Sequence, residues 1–154
     1  MKLAIGLARS IVIAIQRIDR LIEADHVELS GEVMLKLAIA KNALIANVQA
    51  YETASTVEQA RIMGKTTDRD PEFNEKQAAC IEAGRALQAK VYAFPALQTI
   101  KVTGLDLRKN RRLGAMLADL APILDYDDGE KHKVPVPATV AESANEADTD
   151  AVPA

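Results

Sequence analysis

The sequence predicts a mainly α fold, an antiparallel helical hairpin or bundle with one short extended or β segment near residues 97–103 and a disordered, acidic C-terminal tail. Three observations predict it. Apolar residues recur at helical spacing over two long stretches, 3–23 and 30–62, and the connection between them is short enough to force a fold-back. Only two phenylalanines and three tyrosines stand in 154 residues of which 49% are hydrophobic, so the core is aliphatic, rich in alanine and suited to closely spaced helices. Residues 125–154 hold eight acidic against two basic side chains, with too little apolar content to fold alone. These patterns divide the chain into a helical domain, 1–124, and a tail, 125–154.

In the first helix, Leu3 to about Glu23, one side carries Leu3, Leu7, Ile11, Ala14, Ile18 and Leu21, with Arg9, Gln16, Arg20 and Glu23 opposite. Ile5, Val12 and Ile13 fall outside that stripe. They give more apolar surface than one neighbour covers, which points to a second chain. The turn Asp25-His26-Val27-Glu28-Leu29 returns the chain, and His26 has no second ligand at metal-binding spacing.

The second helix, Ser30 to about Ile62, is the stretch the rest is expected to be arranged around. Ser30 suits the N-cap, Glu32 the first turn and Gly64 the stop. Val33, Leu37, Ala40, Leu44, Val48, Tyr51 and Ile62 form its core face, with Met34 and Ile45 at one margin and Lys36, Asn42, Ala43, Asn47, Thr53 and Arg61 around the rest of the circle. Lys41 breaks the face, between Leu37, Leu44, Ile45 and Val48. Either its stem lies on apolar surface while the ammonium reaches water or a carboxylate, or, beside Asn42, it offers a fixed charge to a phosphate or carboxylate ligand.

Gly64-Lys65-Thr66 has the ending of a phosphate loop without its first glycine, since Gln59 stands there, and without a preceding strand. Asp70-Pro71-Glu72 reads as the cap and first turn of a third helix reaching about Val91, with Phe73, Cys80, Ile81, Gly84, Leu87 and Val91 on one stripe. Gly84 would admit a close neighbouring backbone, and Cys80 reads as a small buried apolar residue. Phe94-Pro95 ends the periodicity, and Ile100 and Val102 alternate with Thr99, Lys101 and Thr103 in a strand that needs a partner in this chain or in another copy. A last short helix spans Arg112 to Leu120, closed by Pro122-Ile123-Leu124, and order is expected to fail beyond Asp125.

Charge sharpens the division. The net charge of −3 splits into −6 in the tail and +3 in the body, whose densest run is Arg108-Lys109-Asn110-Arg111-Arg112. That run lacks interleaved aromatics, so nucleic acid ranks below a small anion or an acidic protein surface. Cys80 is alone, which suits a reducing compartment. Arg9 and the charges from Arg17 to Arg20 spoil both a secretory core and a membrane span.

The order of features resembles a family of small helical proteins encoded by tailed bacteriophages. The residues that carry the likeness are Glu28–Val33 leading into Lys36–Leu44, then Val48–Glu52, and its most specific piece is Ala40-Lys41-Asn42 with Tyr51-Glu52 downstream. Pro71-Glu72-Phe73, Leu97–Val102, Leu105 and Leu120–Leu124 match that family's second helix, strand-like segment and leucine-proline ending, so the likeness spans 1–124. It implies phage origin and a helical fold.

No paired carboxylates, histidine or cysteine cluster, or serine with a base can be found, so the expectation is a protein that is not an enzyme, with no cofactor and no metal. The leading expectation is a phage accessory protein, with counter-defence as a candidate role, that binds stoichiometrically to a host protein or a small anionic, nucleotide-like ligand in the host cytoplasm. Lys41, Asn42, Tyr51, Arg108, Lys109, Arg111 and Arg112 are the candidate ligand-binding residues. The alternative is a virion or assembly component whose strand and tail clasp neighbouring subunits, and a nucleic-acid-binding module is third. A homo-oligomer and no membrane association are expected.

Overall fold

The computed structural model describes residues 1–103 and 110–127. A short strand β1 (Lys2–Ala4) leads into helix α1 (Ile5–Glu23), followed by the long helix α2 (Gly31–Met63), helix α3 (Phe73–Gln88), and strands β2 (Val91–Ala93) and β3 (Ile100–Thr103). A 3-10 turn at Arg111–Leu113 opens helix α4 (Gly114–Leu120), a second 3-10 turn covers Ala121–Ile123, and strand β4 is Leu124–Asp127. The fold is mainly helical, as the periodicity requires.

α1 and α2 form the expected antiparallel hairpin. Asp19 pairs with Lys41 and Arg9 with Glu52, so a step of ten residues backwards along α1 matches one of eleven forwards along α2. The turn between them closes α1 with a Schellman arrangement, in which the His26 amide donates to the Leu21 carbonyl and the Asp25 amide to that of Ile22. Asp25 sits at φ 59°, the left-handed conformation this stop requires and one that aspartate tolerates. α2 starts where Ser30 accepts a hydrogen bond from the Val33 amide and stops at Gly64, φ 55°.

The centre of the core is α1 rather than α2. Ala8, Ile11, Ala14 and Ile15 are fully enclosed, because α2, α3 and α4 all pack on α1. Ile5 and Val12 are buried by this same chain, in one core with Leu113, Met116, Leu120 and Ile123, so most of the apolar surface expected to need a second chain is covered from within, and Ile13 is half-buried. Leu7, expected inside, is exposed.

Short strands close the molecule. β1 pairs antiparallel with β2, Lys2 opposite Ala93 and Ala4 opposite Val91, so α1 begins at Ile5 instead of Leu3 and α3 ends at Gln88 short of Val91. β3 pairs in parallel with β4, Ile100 opposite Leu124 and Thr103 opposite Asp127. The strand near 97–103 thus finds its partner in this chain, across a connection that carries α4, as parallel pairing demands. β4 carries ordered backbone to Asp127, past the expected boundary at 125. The tail from residue 128 lies outside the described residues.

α3 packs along the far half of α2 with Phe73, Cys80, Gly84 and Leu87 half-buried and none of its residues fully buried. Ile81 and Val91, expected on its stripe, are exposed. Its N-cap is Glu72, without a side-chain cap bond, because the Asp70 carboxylate turns back to accept from the Thr67 amide and hydroxyl, at 2.7 and 3.1 Å. Those bonds hold its pKa below the ordinary aspartate value. Gly84 faces open space, contrary to expectation; the close approach is at Gly6, where an added Cβ would stand 3.2 Å from Gln88 Cβ.

Candidate functional site

Lys41 reaches across the hairpin. Its Nζ lies 2.6 Å from Asp19 Oδ2, with the lysine side chain 28% and the aspartate 42% exposed. The first of the two sequence readings describes this geometry: the stem crosses apolar surface and the ammonium meets a carboxylate. Asn42, one residue on, projects about 100° further round the helix and is exposed. Tyr51 is half-buried against the core, ten residues or about 15 Å further along α2.

The basic run stands elsewhere. Arg108 and Lys109 lie outside the described residues, as does the Arg111 side chain, and Arg112 is exposed on its 3-10 turn. Asn110, within that run, is buried and fixes its location: its amide nitrogen donates to the Glu28 carbonyl at 2.7 Å and its Oδ1 accepts from the Glu28 amide at 3.1 Å. Asn110 therefore stands at the hairpin turn, whereas Lys41 is eleven residues up α2 from Ser30, about 16 Å away along the axis. Lys41, Asn42, Tyr51 and Arg112 are not gathered into one cradle.

Two recesses border these elements. One, of about 460 Å³, lies at the turn between Ile22, His26, Leu29, Met34 and Asn110. The other, of about 170 Å³, lies where Lys36, Ile39 and Ala40 meet Ala96, Gln98, Thr99 and Ile100. Cys80 is half-buried, its Sγ 4.0 Å from the Gln59 carbonyl oxygen. Among the described residues no group of three or more His, Cys, Asp or Glu side chains could hold a metal ion, and no helix is long and apolar enough to cross a membrane.

A different feature emerges at the β1–β2 ribbon. Met1 and Phe94 exchange main-chain hydrogen bonds and the Ile5 amide donates to the Lys90 carbonyl, so residues 90, 92 and 94 turn their backbone groups towards β1. Val91 and Ala93 turn theirs outward. Every residue of β2 is exposed, Val91 at 63% and Tyr92 at 42%, and among the described residues β2 has no second strand beside it. Sequence reasoning assigned Val91 to a helix and so missed this edge, although Val91-Tyr92 is a β-favouring pair just before Phe94-Pro95.

Compared with protein-family models, curated proteins and solved structures, the chain matches none.

Proposed function

We propose that the protein is a non-catalytic phage accessory protein and that it acts by stoichiometric binding of a host protein. The observation that supports this reading is the outer edge of β2, which pairs with no strand among the described residues. An edge strand offers unpaired amides and carbonyls to an extended segment of another chain, and exposed side chains at alternate positions give such pairing its selectivity. Val91 and Ala93 supply the backbone groups, while Val91 and Tyr92 supply apolar area. A small anion is the weaker ligand class, because the Lys41 charge is already matched by Asp19.

The test uses two substitutions that leave the ribbon's inward bonds in place. Val91→Asp removes apolar area, and Ala93→Pro removes an outward amide at an edge position where proline is tolerated. The wild-type chain is expected to capture a protein from bacterial extract and to co-elute with it, once purified, at a fixed whole-number ratio. V91D/A93P is expected to melt as the parent does and to lose the complex. Undiminished binding by that variant, or no complex at all, would overturn the reading.

A further inference from the structure

We infer that the outer face of α2 is a self-complementary surface that pairs antiparallel with α2 of a second copy, around a two-fold axis beside Ala46. Wound at 100° per residue, Leu35, Ile39, Ala46, Thr53 and Val57 fall within about 40° of each other, on the side of α2 opposite its core face. Leu35, Ile39 and Val57 are 62%, 51% and 63% exposed. A helix whose two opposite faces are both apolar is expected to have neighbours on both, and among the described residues α1 and α3 pack on α2 away from this stripe, while the β3 segment meets only its edge, beside Ile39. From Leu35 to Val57 the stripe runs about 33 Å along the axis and is uninterrupted by any charged side chain.

The occupant follows from the order of residues along the stripe. A closed dimer places the same patch on both partners in opposite directions. With Ala46 at the axis, Leu35 lies opposite Val57 of the second copy and Ile39 opposite Thr53, so larger side chains meet at the ends while Ala46 and Ala50 let the helices approach in the middle. In an antiparallel pair, residues on the same flank of the stripe meet. Glu32 and Arg61 share one flank and fall within about 1.5 Å of the same axial level across the axis. Asn42 and Gln49 share the other flank and meet likewise. Opposite charges and paired amides thus coincide in this one register, and all four side chains belong to exposed residues. Within one chain Glu32 is bonded to Lys36 and Arg61 to Glu58, so the charges are held on the surface that the second copy approaches. This inference is independent of the β2 edge, which lies on other elements.

Light scattering of the full chain at micromolar concentration is expected to give twice the 16.6 kDa chain mass. Ala46→Glu puts two like charges at the axis and is expected to return the mass to one chain with unchanged melting. Should A46E unfold, an Ala46→Cys chain in a Cys80→Ser background is expected to cross-link to a covalent dimer under a mild thiol oxidant. E32K and R61E are each expected to weaken the dimer about fivefold, and E32K/R61E together to recover most of it. A single-chain mass for the wild type, a dimer indifferent to A46E and uncross-linked by A46C, or a charge swap that compounds the loss would each overturn this arrangement.

Discussion

The two halves of α2 run through different environments. Over 31–48 the helix lies against α1 and the β3 segment and buries Val33, Leu37, Ala40, Leu44 and Val48; over 49–63 it meets α1 at the Arg9–Glu52 pair, packs on α3 and buries nothing fully. The difference comes from the partner. α1 presents isoleucine, valine and small alanines at every inward position, whereas α3 presents Gln77, Cys80, Gly84 and Gln88 beside Phe73 and Leu87. Side-chain bonds support that second arm as well, with Lys76 reaching both Thr66 and Glu72 and Asp70 holding Thr67. The molecule is a densely packed hub with a lighter arm, and its cooperativity is expected to follow that division.

The largest way to break the comparison is Leu44→Ala. Leu44 is fully enclosed, so its truncation is expected to lower stability by about 3 kcal/mol or more, while Leu87→Ala, at a half-buried site in the arm, is expected to cost about 1 kcal/mol. Denaturant melts of the two variants check this, and equal losses would abolish the distinction between hub and arm. A smaller effect sharpens it. Lys41→Met leaves Asp19 without its partner, but Asp19 is 42% exposed and regains water, so the expected loss is at most about 1 kcal/mol. A loss several times larger in the same melts would mean that the pair is sealed from solvent as the core is.

Much of the hub was legible. Ser30 and Gly64 mark α2 because a hydroxyl cap and a left-handed stop are local chemistry, and the core face over 33–48 follows from period alone. Lys41 stood out on the wheel, but naming Asp19 needs the register of the hairpin, which no single helix carries. β1, β2 and β4 were not legible as strands: three or four residues have no measurable period, and β1 and β2 pair across some ninety positions. The central place of α1 was hidden for a related reason, since its extra apolar residues are covered by α4, which returns from the far end of the chain. Of the candidate site, Lys41 stands out by its place on the wheel, but no period or spacing shows that the fold leaves it apart from Asn42, Tyr51 and Arg112. Leu35, Ile39 and Val57 are hard to see as a face in the sequence because Asn42, Asn47, Thr53 and Arg61 share the outer side of α2.

Asn110 has a kinetic consequence. Its two bonds to Glu28 close a loop of 82 residues, and bringing such ends together costs roughly 4 kcal/mol of chain entropy before any bond is returned. Two hydrogen bonds recover only about half of that, so they do not form first. The hairpin of α1 and α2, whose pairs are 22 and 43 residues apart, is the cheaper nucleus, and the Asn110 clasp is expected to form after the rate-limiting step. Asn110→Ala is therefore expected to leave the folding limb of a chevron plot nearly unmoved and to raise the unfolding limb, so that the clasp governs how long the native state lasts rather than how fast it is reached.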